Sequence, residues 1–338
     1  MPPLLKGLRV LDLTRNLPGP FATRMLADLG AEIIKVEPPE GDPARALGSL
    51  FEALNHGKDC RKLDFKTEDG RATLREWARE ADVVLDSFRP GVLDAMGLGH
   101  AALRVVQPKI VLCSITGYGQ TGEWAQRAGH DLNFMAMSGA LDQMRARNGD
   151  VAMSNIQWGD LAGGSSMACI AVLAAVFEAQ RTGRGRFLDV SMAHGLFAHQ
   201  VMPQATGALL EPMLGRLPRV GEDMLNGALP CYGLYRTQDD RWLAVGSLEH
   251  KFWRAACDVF ERPDWVNRHW QRGLLPNSAE SNALRQAVDE LVAGRPLADW
   301  AERFGQVDAC VTPVLTLDEA RRHPLFATPA RLPWAAVE

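Results

Sequence analysis

Three short segments of the 338-residue chain put proton-handling groups beside small residues. In the first, Ala128-Gly129-His130-Asp131-Leu132-Asn133, apolar residues at Leu132, Met135 and Ala136 follow an i, i+3, i+4 pattern that places His130 at a helix start. An imidazole there tends to stay neutral because the helix dipole disfavours its cation, and the free N–H groups of a first turn can hold an anion. The same residues also read as a capping cluster in which Asp131 satisfies first-turn amides. In the second, Trp158-Gly159-Asp160-Leu-Ala-Gly-Gly-Ser-Ser-Met167, a carboxylate heads a helix whose first turn carries little bulk. A ligand or another backbone can approach such a turn closely, and a plain N-cap role for Asp160 is the alternative. The third, Gly246-Ser-Leu-Glu249-His-Lys-Phe-Trp253, sets a carboxylate between a strand and a helix, which is also where a cap sits.

Such groups need a scaffold to bring them together. Residues 7–13 form an apolar strand pattern, Pro18-Gly19-Pro20 a turn, a helix-like run reaches Gly30, and residues 31–37 read as a second strand. The rhythm repeats with a helix near 68–80, a strand at 82–86, a helix near 101–106 and a strand at 109–115. This predicts an α/β fold with a doubly wound parallel sheet. From Asp160 to Thr182-Gly183 the chain is apolar nearly all round, predicting a buried helix with a glycine C-cap, followed by a strand at 187–192. A stretch rich in Pro, Gly and Met, roughly 203–230, reads as a loop. The expected organisation is a large domain over 1–200, a linker at 201–224, a smaller α+β domain at 225–305 with strands at 231–235 and 242–246, and a return segment of the large domain at 306–338 carrying a strand at 311–315.

Composition excludes several classes. Hydrophobic residues at 46% and charged residues at 23% match a globular chain rather than a disordered or collagen-like one. Lys+Arg 37 against Asp+Glu 41 leaves no basic excess for nucleic acid. The longest apolar stretch, Met167 to Phe177, is short of the roughly 20 residues that cross a bilayer, and the N-terminus lacks a signal-peptide core, so a cytoplasmic protein without a membrane partner is expected. Six scattered cysteines without a Cys-x-x-Cys pair suggest reduced thiols rather than disulfides or zinc. His194 and His199, five apart, fall on different helical faces, and no metal is expected. Glu37, ending the second strand, invites a dinucleotide reading, but Leu17-Pro-Gly-Pro-Phe-Ala22 cannot supply the Gly-x-Gly-x-x-Gly approach to a pyrophosphate.

Longer matches add a resemblance. Leu11-Asp-Leu-Thr with Pro18-Gly-Pro, Leu26-Ala-Asp-Leu-Gly-Ala-Glu-Ile-Ile-Lys-Val-Glu37, Phe88-Arg-Pro-Gly91, Gly117-Tyr-Gly-Gln-Thr-Gly122, Thr182-Gly-Arg-Gly185, Met224-Leu-Asn-Gly227, Tyr235-Arg-Thr237 and Asp308-Ala-Cys-Val-Thr-Pro-Val-Leu315 span nearly the whole chain. They resemble the family III CoA-transferase superfamily, and Gly129-His130-Asp131-Leu-Asn133 with Leu248-Glu249 is most similar to its α-methylacyl-CoA racemase branch. The resemblance implies that His130, Asp160 and Glu249 are the proton-transfer residues and that the Asp131 N–H holds a thioester oxygen. It implies CoA or substrate contacts at Leu63, Ser87, Phe88, Arg89, Gly129, Asp131, Asn133 and Tyr232, an acyl-CoA thioester as partner, and no cofactor beyond the CoA of the substrate. It also implies an interlocked homodimer in which Glu249 reaches the other subunit's His130.

Two reactions follow from the resemblance: inversion of the α-carbon of a 2-methylacyl-CoA through an enolate, or CoA transfer between acids through an aspartyl-CoA thioester on Asp160. The sequence departs from the family pattern where members often carry arginine, at Pro38 and Ala95, so phosphate contacts must come from elsewhere, with Arg89 the expected one. The chain ends at Glu338, shorter than typical members, so a trimmed closing segment is expected.

Overall fold

Every strand expected from an apolar run before residue 200 is present in the computed structural model, which describes residues 3–145 and 149–327. The first unit, residues up to Asp142 and Met153–Val201, runs β1 (Arg9–Leu13), α1 (Pro18–Asp28), β2 (Glu32–Glu37), α2 (Ser49–Asn55), β3 (Asp59–Lys62), α3 (Glu68–Arg79), β4 (Val83–Asp86), α4 (Val92–Ala95), α5 (His100–Val106) and β5 (Val111–Thr116). It continues with α6 (Asp131–Met137), a wide π-type helical stretch at Gly159–Ser166 leading into α7 (Met167–Thr182), β6 (Phe187–Ser191) and α8 (Met192–Ala198). The six strands are parallel in the order β3-β2-β1-β4-β5-β6. Val10 lies beside Ile33 and Val83, and Cys113 beside Leu85 and Leu188.

Strand periodicity sorts the core into two layers. Val10, Val83, Leu85, Val111 and Cys113 face Leu26 of α1 and Ala168 and Val172 of α7, whereas Leu11, Val84 and Leu112 face Leu74 of α3 and Leu103 of α5. Each such buried Val or Leu contributes roughly 1.5–3 kcal/mol. The strand order reverses between β1 and β4, and the crevice outside the carboxyl ends of strands at such a switch point is where open α/β sheets bind ligands.

The helix beginning near Asp160 differs from expectation. Ala168, Cys169, Val172, Ala175 and Ala179 are buried, but Ile170 and Phe177 are 63% and 62% exposed, so its apolar surface is only half used by the first unit. The run Gly159–Thr182, 24 residues, is long and apolar enough to cross a membrane by length and composition alone. The small residues at its start serve backbone packing: a Cβ on Gly163 would lie 2.3 Å from the Met192 carbonyl oxygen, and one on Gly195 2.3 Å from that of Gly163. Ser165 Oγ donates to the carbonyls of Pro18 (2.6 Å) and Asp160 (3.1 Å), tying the wide turns to α1.

The second unit, from Met202 onward, holds most of α9 (Val201–Leu214), then β7 (Tyr232–Arg236), β8 (Trp242–Gly246), α10 (His250–Val259), α11 (Ala279–Val292), α12 (Leu297–Phe304) and β9 (Val311–Pro313). Its core is built on Trp253, Trp265, Trp300 and Tyr235, all essentially inaccessible to solvent. Two expectations are corrected here. The segment expected as a linker begins with a helix: Pro203 sits in the first turn, where its missing N–H costs nothing, and the helix runs on past Gly207 and an internal Pro212 to Leu214. The strand near 311–315 pairs antiparallel with β8, Val245 opposite Val311, and so completes the small sheet instead of returning to the large one. The expected return segment is described only as far as Ala327.

Candidate active site

The carboxyl ends of β1, β4 and β5 frame a cavity of about 460 Å³ bordered by His130 and Asp160 and also by Ser87, Phe88, Arg89, Gly129 and Asn133. Seven of the residues named from sequence therefore meet at the topological switch point. His130 is fixed by its backbone: its N–H donates to Asn133 Oδ1 (3.1 Å), and its carbonyl accepts from the amides of Asn133 (2.8 Å) and Phe134 (3.2 Å). Asn133 thus caps α6, while Phe134 locks the helix edge-on against Tyr118 with ring centres 5.3 Å apart. A larger cavity of about 580 Å³ borders the amino ends of β1 and β2, but its Arg9 is paired with Glu32 (3.6 Å) and Glu80 (2.9 Å), and it gathers no comparable reactive set.

Asp160 is not an N-cap. Its own amide donates to Asp131 Oδ1 at 2.9 Å, so Asp131 caps the wide helix across 29 residues of sequence rather than its own first turn. Glycine is needed at 159 for this approach, since a Cβ there would lie 2.9 Å from the same oxygen. Burial, and then the neighbouring Asp131 carboxylate, push Asp160 up to about 7. Burial also raises Asp131, against the amides that it accepts. Near neutrality Asp160 is thus divided between its acid and base forms, as proton transfer in both directions requires. Removing the like charge favours ionisation, so Asp131→Asn is expected to lower the pH at which Asp160 titrates, read by carboxyl carbon NMR. An unmoved midpoint would show that burial alone sets it.

Buried charges hold the β1–α1 turn that borders the cavity. Asp12 accepts from the Thr14 amide (3.0 Å) and pairs with Lys58 (3.2 Å). Lys35 donates to the Thr14 carbonyl (2.8 Å) and pairs with Asp42 (3.0 Å), which accepts from the Asn16 amide (3.2 Å). Burial works to raise Asp12, but Lys58, Lys35 and two threonine hydroxyls overcome it and hold the carboxyl at about 2. Glu37 is taken by Arg45 (2.6 Å) and the Asp42 amide (3.0 Å), so its carboxylate is not free to hold a ribose.

Of the other named residues, Leu63 belongs to the first unit, and Tyr232 and Glu249 to the second. Leu63 does not border the cavity; it follows β3, half-buried, its amide on the Glu37 carbonyl (2.8 Å). Tyr232 lies on β7 and packs on the core of the second unit. Glu249, exposed, occupies the N-cap position of α10 without capping it, and the His250 amide is instead taken by Gln271 (2.8 Å). Sequence reasoning missed Arg15, Asn16 and Arg127, which border the cavity. The first two immediately follow the carboxyl end of β1, and that position was the available signal.

A doubly wound sheet with an imidazole and a neutral-range carboxyl at its switch point defines an α/β enzyme that handles protons or acyl groups. The chain belongs to CoA-transferase family III, whose model matches residues 5–332. It is 33% identical over 331 residues to human alpha-methylacyl-CoA racemase, covering 94% of this chain and 80% of that protein. It is also 33% identical over 345 residues to the acetyl-CoA:oxalate CoA-transferase of Acetobacter aceti, covering 95% and 83%. Among solved structures it is similar to a CAIB/BAIF family protein from Brucella suis, with a TM-score of 0.79, 28% identity, and coverage of 96% and 87%. Both reaction types thus occur among relatives at equal identity.

Proposed function

We propose that the protein is an α-methylacyl-CoA racemase-type isomerase that inverts the carbon next to a thioester carbonyl. The observation that carries this reading is the meeting of His130 and a neutral-range Asp160 at one cavity. The α-proton is weakly acidic, so inversion needs one group to remove it, an anion stabiliser for the enolate, and a second group to return a proton on the other face. His130 and Asp160 fill the two proton-transfer places, and the first-turn N–H of Asp131 receives the enolate oxygen. The proposal includes a cytoplasmic homodimer in which Glu249 of one subunit orients and charge-balances His130 of the partner subunit. The substrate supplies the CoA, and no metal or redox cofactor takes part.

The equal identity to a transferase favours one alternative. There the Asp160 carboxylate attacks the thioester carbonyl and expels CoA thiolate, leaving a mixed anhydride. The thiolate then attacks the aspartyl carbonyl, releasing the first acid and leaving an aspartyl-CoA thioester. Incubation with a single-enantiomer 2-methylacyl-CoA in deuterated water separates the readings. Racemisation gives α-deuteration and loss of optical purity with no second acid present. Product formed only when a free carboxylate is added, with Asp160 trapped by hydroxylamine, would overturn the racemase reading.

A further inference from the structure

We infer that the segment His269-Trp270-Gln271 is a positioning clamp for Glu249: three consecutive side chains hold the backbone on both sides of this residue and leave its carboxylate free to act on another chain. The inference rests on the reading above, in which Glu249 orients His130 of the partner subunit, and names what presents Glu249 for that role. Glu249 follows β8 and immediately precedes α10. Trp270 Nε1 donates to the Leu248 carbonyl (2.6 Å), part of the peptide group just before Glu249. The His250 amide, part of the peptide group just after it, donates to Gln271 Oε1 (2.8 Å). With both flanking peptide planes held, the Glu249 backbone is set at φ −87° and ψ 141°. One residue further back, His269 Nε2 donates to the Ser247 carbonyl (3.4 Å), and Ser247 Oγ donates to that of Ala309 (2.6 Å).

The clamp is itself anchored. His269 Nδ1 accepts from the Gln271 amide (3.3 Å), capping the turn Trp270–Arg272, so the ring hydrogen sits on Nε2, where it can be given to a carbonyl. The ring is buried, its centre 6.4 Å from that of Trp253 and 5.5 Å from that of His250, and burial favours its neutral form. His250 is fixed in turn by Nε2, which donates to the Val266 carbonyl (2.9 Å). The carboxylate of Glu249 is what remains unused. A side chain at an N-cap position ordinarily accepts from a first-turn amide, and a carboxylate there also gains from the positive end of the helix. Glu249 makes no such bond, and the first amide of α10 goes to the neutral Gln271. Among the described residues Glu249 has no side-chain hydrogen bond or ion pair, whereas Glu178, Glu222 and Glu319 are each taken by an arginine. An exposed carboxylate on a doubly held backbone suits a group that must meet a cation of another chain.

The test measures α-proton exchange from a 2-methylacyl-CoA in deuterated water for Trp270→Phe and Gln271→Met, each made in the wild type and in Glu249→Gln. Phenylalanine keeps an aromatic ring without the N–H, and methionine keeps the length of glutamine without the acceptor oxygen. In the wild type each change is expected to lower kcat about three- to tenfold, the scale of one lost neutral hydrogen bond, with KM unchanged. In the Glu249→Gln chain neither should lower it further, since the group being positioned is already gone. Gln271→Glu, which keeps an acceptor oxygen, should retain most of the rate. Gln271 is exposed, so its variants carry the test if Trp270→Phe fails to fold. Equal losses with and without the Glu249 carboxylate, or no loss in either wild-type variant while Glu249→Gln is slowed, would overturn the clamp and leave the role of Glu249 standing. Exchange that is absent from the wild type, or indifferent to Glu249→Gln, would overturn that role and the clamp with it.

Discussion

Asp160→Asn is expected to slow α-proton exchange by on the order of 10²- to 10⁴-fold, the usual contribution of a positioned acid–base group. Asparagine is nearly isosteric, and the bond that anchors this position, from its backbone amide to Asp131, does not involve the side chain. The fold should therefore persist, with an unchanged thermal midpoint, while the group that titrates at about 7 is gone. The wild-type pH profile has a definite form. Under the proposed inversion each direction needs one base and one acid, so activity falls in acid, where no base is left, and in alkali, where no acid is left. Because the equilibrium between enantiomers does not depend on pH, kcat/KM must follow the same bell in both directions. Loss of less than tenfold in Asp160→Asn would remove this carboxyl from the chemistry.

The second large effect is on stability. Lys58 is wholly enclosed, its ammonium donating to Thr23 Oγ1 (2.7 Å), the Asn55 side chain (2.9 Å) and the Pro20 carbonyl (2.9 Å) as well as pairing with Asp12. Lys58→Met leaves the Asp12 carboxylate buried with one cation fewer, and removing one partner of a buried pair typically costs about 3–5 kcal/mol. That is a large share of the roughly 5–15 kcal/mol that holds a domain together. In urea the midpoint should fall without a change in slope. The sign with pH follows from Asp12. Its folded pKa, about 2, lies below the ordinary 3.8, so its contribution is present above 3.8 and is lost as pH falls through 2. The gap between wild type and variant should therefore narrow over that interval in acid. An equal gap at all pH values would show that lost packing, rather than the uncompensated carboxylate, is responsible.

What was legible in the sequence followed from pattern strength. β1, β2, β4 and β5 were readable because strands buried on both faces carry Val, Ile and Leu almost continuously, and the largely exposed edge strand β6 was readable only from its short Phe187-Leu188 and Val190 pattern. β3 was not, because Asp59-Cys-Arg-Lys62 is an edge strand with every residue exposed, and nothing in its composition demands a sheet. β9 was visible as a strand, but a three-residue segment carries no information about which sheet accepts it. The cavity residues His130 and Asp160 stood out by chemistry and local spacing. The side-chain role of Asp131 did not, because its hydrogen bond reaches a helix 29 residues away, and only the tertiary fold brings the two together. Arg127 was hidden in the same way: its ring partner Trp124 is close in sequence, but the cavity that it borders is made by three separate strands.

The wide turns of Gly159–Ser166 also bear on how this chain can change by inheritance. Each residue of an α-helix advances the side chains by about 100° around the axis, and a π-type stretch holds an extra residue within that count. Deleting one residue after Asp160 would let the stretch tighten while α7 and β6 kept their places. Asp160 would then swing out of line with the cavity and leave the reach of Asp131. A lineage could in this way lose the chemistry of this cavity through the loss of one codon, with the hydrophobic core untouched.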